Sequence, residues 1–381
     1  MTKTKKKNAF IFRYLFFSIL LIASFLLLAC YLTVSKAEKN FGKADRQLHV
    51  VSRLKYAYIL NKNNAILTPL VAFPDDIDKK FFISSDETVL EICAKLENEK
   101  IVPNGELACQ LLIYYGRDRM IQPGSYTVPS GLNTIEIVQR VGNVAYRDKD
   151  LYIFAGWRLE EIANAIDTLG LSFTGDEFLS SALNIPNEIR EKYEFLPGDS
   201  LEGFILSGQY HLQPKITLIE ALELFMDTFE SKVVLSGLKA ELETQKLSLI
   251  ESLTMASIIQ RETLAVEEMP TMASVFYNRL WLGMRLETDV TVQYAIGWDD
   301  NTETWWKPGL TWTDLAINSS YNTYQVNGLP PGPICSPSLE AIQAVARPAQ
   351  SDYLFFRAAC DNSGRHNFAK TYEEHLNNGC E

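Results

Sequence analysis

Residues 14–34, YLFFSILLIASFLLLACYLTV, contain no charged side chain. A helix needs about 20 apolar residues to cross a bilayer, and this run supplies 21. No other segment of the chain is comparable, so this one divides the protein into a short leading piece and a long following one. All charge in residues 1–13 is positive (Lys3, Lys5, Lys6, Lys7 and Arg13). A basic flank ahead of a single span keeps the N-terminus in the cytoplasm and places everything after Val34 outside. Two other readings compete. A cleaved signal ordinarily has an apolar core of about 7–15 residues, shorter than this one. Leu27-Leu28-Ala29-Cys30 is similar to a lipoprotein signal, with Cys30 as the lipidated residue, although Leu28 and the long apolar run fit it poorly. All three readings put residues 35–381 beyond the membrane.

The formal net charge of −11 is an average over unlike parts. Setting aside the five leading cations leaves 31 basic and 47 acidic residues, a net of −16 for the external part. That argues against nucleic acid as a partner, because neutralising phosphates takes clustered Lys and Arg. With 47% apolar residues the chain can build sizeable cores, and 381 residues predict two or three domains. Besides Cys30 there are Cys93, Cys109, Cys335, Cys360 and Cys380, an odd number, so at least one is unpaired or bonds between chains. For Cys93 and Cys109, both in expected helices, a buried thiol is the plainer reading. No CxxC, HExxH, P-loop, GxGxxG or GxSxG motif occurs, and the four histidines lack helical ligand spacing. Neither a metal site nor a cofactor is expected.

Residues 35–80 read as a stalk with some extended structure. Residues 81–146 read as a small unit. A strand at 80–84 is followed by helices at 88–100 and 106–115, a strand at 125–128 and a helix from Thr134. Strand–helix–helix–strand at this length is similar to a LysM-like module, which implies binding to N-acetylglucosamine polymers. Residues 147–381 form the larger part, with helices expected over 157–168, 216–233, 248–264, 268–281 and 338–346. The fold class is α+β: a single N-terminal transmembrane helix, a LysM-like module and a mixed α/β catalytic domain.

The chemically informative segment is Leu253–Thr263. As a helix it places Met255, Ile258 and Ile259 on one apolar stripe, and Glu262 projects from that stripe. A carboxylate on a core-facing stripe is expensive unless paired or protonated, and desolvation raises its pKa. That suits an acid which must still hold its proton near neutral pH. The alternative is a helix-end Glu paired with Arg261 or Arg279.

Several further motifs follow in order: Ser274–Leu280, Gly283–Asp289, Thr291–Gly297, Ser320–Tyr324, Gly328–Ile334, His366–Phe368 and Thr371–His375. With the Glu262 segment they closely resemble the YceG-like (MltG) family of endolytic murein transglycosylases, over roughly residues 80–381. The resemblance implies cleavage of the β-1,4 bond between N-acetylmuramic acid and N-acetylglucosamine, leaving 1,6-anhydro ends, without a cofactor. It implies Glu262 as the catalytic residue, at the second Glu of a motif like S-I-[IV]-E-K-E-T. It also implies peptidoglycan glycan strands as substrate, a place in the bacterial plasma membrane, and peptidoglycan synthases as partners.

Asn278, Thr288, Asp289, Tyr321 and Asn322 carry side chains suited to sugar hydroxyls and N-acetyl groups, with fold support as the alternative. Trp305 and Trp306 suit either ring stacking or packing. Three departures stand out. Gln260 replaces the family's first Glu. Ser207-Gly208-Gln209 replaces Pro-Asp-Thr, and Glu287 with Val290 replaces Gln and Pro. Glu287 adds a carboxylate near the expected cleft. Competing functions are a muramidase that uses water, with Asp289 or Glu287 as its second carboxylate, and a non-catalytic glycan-binding scaffold.

Overall fold

The computed structural model describes residues 3–74, 77–361 and 363–380, with side chains from residue 15 onward. Residues 1 and 2 of the basic tail and residues 75 and 76 of the expected stalk lie outside them. The chain forms two compact units, Met1–Lys149 and Asp150–Glu381.

The first unit opens with α1 (Lys3–Phe41), a single helix of 39 residues. Its apolar side chains from Leu15 to Leu32 point outward on all sides. A helix apolar all round needs an apolar surrounding, so this stretch fits a membrane span. The helix runs on past that stretch. Ala37 and Phe41 are buried in the unit's core with Leu60, Leu67, Phe81, Leu96 and Tyr126.

Residues 35–80 are therefore not a stalk. They supply the end of α1, then α2 (Val50–Lys62), α3 (Asn64–Leu67) and a two-residue strand β1 (Leu70–Val71). Leu60 and Ala57 of α2 are fully buried. In the sequence, charged residues between the apolar positions break the helical stripe into short apolar runs. The Tyr114 hydroxyl donates to Gly42 O at 3.0 Å and Asn61 Nδ2 to Thr33 O at 2.8 Å, fastening the segment.

The remainder of this unit is β2 (Lys79–Ile83), α4 (Val89–Asn98), α5 (Gly105–Tyr115), β3 (Gly124–Val128), β4 (Leu132–Asn133) and α6 (Thr134–Val141). Strands β2 and β3 pair antiparallel with Phe81 opposite Tyr126, and β1 pairs with β4. Cys93 of α4 and Cys109 of α5 form a disulfide rather than two buried thiols.

The second unit begins at β5 (Lys149–Ile153). There follow α7 (Leu159–Asp167), α8 (Gly175–Leu183), α9 (Asn187–Lys192), β6 (Gly208–Leu212), α10 (Leu218–Phe229) and α11 (Leu238–Thr244). Next come α12 (Leu249–Glu262), α13 (Met269–Trp281), α14 (Asp289–Ile296), α15 (Trp312–Leu315) and α16 (Leu339–Ala346). Strands β7 (Phe355–Ala358) and β8 (His366–Ala369) and helix α17 (Tyr372–Asn377) complete it. β5 pairs with β6, and β7 with β8.

Helix starts repeat one device. In Ser248/Glu251, Thr217/Glu220 and Thr371/Glu374 the cap hydroxyl accepts the N3 amide while the Glu reaches back to the cap. A second disulfide, Cys360–Cys380, closes the C-terminal part. The cysteine left over from the external five is Cys335, fully buried, with its Sγ on Ser257 O.

Candidate active site

Helix α12 is the centre of the second unit. Every residue from Ser252 to Gln260 is buried, so it is surrounded rather than faced by protein on one stripe. Its polar residues are held accordingly. Ser257 Oγ donates to Thr254 O and accepts the Ile334 amide at 3.0 Å. Gln260 Oε1 accepts the Ser338 amide at 3.0 Å, which ties α12 to the start of α16. The position where the family pattern has its first Glu is thus a structural amide in this chain.

Glu262 is the last residue of α12, and Thr263 leaves the helix in an extended conformation. It is half-buried, and its carboxyl has no hydrogen-bond partner among the described residues. Burial pushes its pKa up to about 8, and Asp289 adds to the rise, while Arg261 and Arg279 oppose it. The negative end of the helix dipole acts in the same direction as burial. Neither arginine neutralises it by contact. Arg261 turns away and lies over the Trp306 ring at 3.8 Å. Arg279 donates to the carbonyls of Leu354 (2.6 Å) and Leu286 (2.7 Å).

Asp289 opens α14, and the Tyr324 hydroxyl donates to its Oδ1 at 2.7 Å. A buried threonine cluster fixes that pair. Thr291 Oγ1 and Thr323 Oγ1 are 2.8 Å apart, and Thr323 Oγ1 accepts the Thr288 amide at 3.0 Å. Glu287 is not the carboxylate that acts on Glu262. It sits at φ 51° and lies 3.6 Å from Arg279.

The other expected sugar-binding residues divide. Asn322 is 0% exposed, and its Nδ2 donates to Leu315 O and Ile317 O. Asn278 Nδ2 likewise donates to Ser351 O and Tyr353 O, both at 2.9 Å. Both amides are engaged with backbone carbonyls, so these two residues support the fold. Thr288 is 2% exposed within the threonine cluster and holds a turn rather than facing a ligand. Asp289 faces Glu262, and Tyr321 packs on Tyr294 with ring centroids 4.8 Å apart. Trp305 and Trp306 hold arginines. Arg158 lies 4.8 Å from the Trp305 ring, and Trp306 Nε1 donates to Glu161 Oε2 at 3.1 Å.

One carboxyl escaped the sequence reading. Glu202 is 4% exposed, and its Oε1 has no partner. Burial raises its pKa to about 8, with Glu160 adding and Arg158 opposing. With Tyr294, Tyr321, Pro331 and Pro333 it lines a cavity of about 280 Å³. The signal was a Glu inside the apolar run Leu201–Leu206. Next to it, Gly203 at φ +79° allows Pro333 to approach, since a Cβ there would lie 2.4 Å from the Pro333 Cβ. Of the altered Ser207-Gly208-Gln209 segment, Gln209 Nε2 donates to Asp150 Oδ1 at 3.2 Å. Among the described residues no three His, Cys, Asp or Glu side chains converge as metal ligands.

This defines a class of protein: an α+β fold whose central buried helix presents one unpaired carboxyl, held protonated near neutrality beside a second carboxyl. The YceG-like family model matches residues 81–380, and the chain belongs to that family. It is 30% identical over 309 residues to the endolytic murein transglycosylase of Bacillus subtilis, covering 77% of this chain and 81% of that one. It is 27% identical over 358 residues to the endolytic murein transglycosylase of Streptococcus pneumoniae, covering 86% of this chain but only 61% of the relative. The crystal structure of a yceG-like protein from Listeria monocytogenes superposes with a TM-score of 0.53 at 28% identity. That match covers 79% of this chain and 99% of the Listeria chain.

Proposed function

We propose that this protein is an endolytic murein transglycosylase with Glu262 as its catalytic residue. It cuts the bond between N-acetylmuramic acid and N-acetylglucosamine inside nascent glycan strands and so ends their elongation. The observation that carries this reading is the unpaired, half-buried Glu262 carboxyl, protonated up to about pH 8.

The steps balance with one carboxyl. Glu262 gives its proton to the bridging oxygen as the bond from C1 to that oxygen breaks. The substrate's N-acetyl group supports the cationic C1. Glu262, now a carboxylate, takes the proton of the C6 hydroxyl, and O6 bonds to C1 to give the 1,6-anhydro end. The hydroxyl is already tethered to the reacting ring, so no external water is needed. Asp289 keeps the proton on Glu262 until transfer, and Tyr321 borders the neighbouring cavity where a sugar ring would lie.

The reading extends to the rest of the chain. Residues 14–34 anchor it in the bacterial plasma membrane with the basic tail inside and both folded units outside. Two disulfides, Cys93–Cys109 and Cys360–Cys380, favour that side, since disulfides persist in oxidising compartments. Within the first unit, residues 81–146 act as a LysM-like glycan-binding module ahead of the catalytic domain, residues 147–381. Peptidoglycan synthases are the natural neighbours of an enzyme that trims new strands.

The test is digestion of un-crosslinked glycan followed by mass spectrometry. Wild type yields 1,6-anhydro ends, and Glu262→Gln lowers their formation at least a thousandfold. Unchanged product formation by the variant sinks the assignment. Reducing muramic ends instead identify a muramidase with Asp289 as the second carboxylate.

A further inference from the structure

A cavity of about 840 Å³ in the second unit is not lined by Glu262 or its neighbours. One wall is a stripe of α13 at helical spacing, Ser274, Tyr277, Asn278 and Trp281. The facing wall is the segment 347–353. That segment is fastened by the two Asn278 hydrogen bonds, by Ser274 Oγ to Ser351 Oγ at 2.6 Å, and by the Ala349 amide to Pro270 O at 2.9 Å. The cavity is therefore preformed.

Its chemistry is mixed in a particular way. Trp281 is 68% exposed, and its ring leans on the buried Tyr277 ring at 5.6 Å. An indole this open, braced by a second aromatic, is a flat apolar platform. Around it stand uncharged amides. Gln350 is exposed and makes no hydrogen bond among the described residues, and Gln245 donates to Ala346 O while its Oε1 has no donor. The cations at the rim are already paired, Arg347 with Glu241 at 2.5 Å and Lys370 with Asp352 at 3.0 Å. A carboxylate-bearing peptide would have to displace those pairs. A pyranose would not, because its C–H face stacks on an aromatic ring while its hydroxyls and acetamido group meet amides.

We propose that this cavity is a second saccharide-binding site, in which an N-acetylated pyranose of the glycan stacks on Trp281 and is hydrogen-bonded by Gln245 and Gln350. The proposal rests on the reading of the protein as a glycan-cleaving enzyme and adds a hold on the strand away from Glu262. Side chains of α13 point two ways: Arg279 lies beside Glu262, whereas Asn278 and Trp281 face the cavity.

The test uses the full chain in detergent with Glu262→Gln as background, so that ligand is not cut. Titration with penta-N-acetylchitopentaose and with peptide-free glycan strands is compared with Trp281→Ala and Gln350→Ala added. The titration is fitted step by step, one step for each glycan site; Trp281→Ala weakens one step about tenfold, Gln350→Ala weakens the same step severalfold, and the other steps are unchanged. A free stem pentapeptide binds none of them. Equal affinity across the three proteins overturns the site, and pentapeptide binding that depends on Trp281 overturns the saccharide assignment. Anhydro-product formation by the wild type is followed in parallel. Products together with Trp281-independent binding sink the second site alone. Trp281-dependent binding without products sinks the catalytic reading alone.

Discussion

Two glutamates, Glu262 and Glu202, hold protons to about pH 8 mainly because burial penalises their charge. For Glu262 the consequence is kinetic. With Glu262 as the proposed acid, its protonated form is the active one, so activity is sustained below about pH 8 and falls as pH rises through that value. Asp289→Asn removes the neighbouring charge that helps raise the pKa. The alkaline limb of the pH–rate profile then moves to lower pH, and a limb that stays in place refutes the coupling. For Glu202 the consequence is thermodynamic. Its folded-state pKa lies above its unfolded one, so its stabilising contribution is complete below the ordinary carboxylate range. It is lost as pH rises through about 8. Glu202→Gln should therefore melt above the wild type at pH 8, with the gap closing near pH 4.5. Melting curves across that range decide it. The burial and raised pKa of Glu262 were legible in sequence because a charged residue interrupts a helical apolar stripe. Glu202 was not, because no periodicity marks it: it lies between Leu201 and Gly203 in irregular structure.

At the scale of elements, the site is a set of backbone carbonyls and amides tied down by side chains that resemble ligands. Asn322→Ala leaves the half-buried Ile317 carbonyl without its donor and the Leu315 carbonyl with only Gln325 Nε2 at 3.3 Å. A loss of about 1–3 kcal/mol in denaturant unfolding is expected, as for other buried orphaned groups. Helices with a clear apolar stripe were readable from the sequence, α16 among them at only eight residues. The expected 248–264, 268–281 and 338–346 match α12, α13 and α16 within a residue or two. Helices α8, α9, α11 and α14 were not: over six to nine residues each buries only one to three, too few for a period to emerge, whereas α16 buries five of eight. Site residues on loops were the hardest to assign. An Asn offers the same atoms to a sugar and to a carbonyl, and only the fold decides which it meets.

At the scale of the whole molecule, an apolar helix leads into a first unit that is followed by a larger one, and no boundary separates that helix from the first unit's core. Removing residues 1–32, which keeps the Thr33 carbonyl for Asn61, should move the protein to the soluble fraction with its melting temperature little changed. Extending the cut to residue 44 takes away Ala37, Phe41 and Ala44, three members of the first unit's core. Deleting a buried aromatic typically costs about 3–5 kcal/mol, so the longer truncation melts well below the shorter one. Equal melting of the two would mean that this helix end contributes nothing to the core.

Because α1 runs without a break from the apolar stretch into the core of the first unit, there is no slack between membrane and fold. Residues 35–41 rise only about 10 Å beyond the span at 1.5 Å per residue. The first unit is therefore held at a set height, as on a mast rather than a leash. Each residue added to that segment would lift the unit by about 1.5 Å and turn it by about 100°. A unit mounted in this way on a membrane-spanning helix travels only by drifting sideways in the plane of the bilayer, within a thin layer next to the surface.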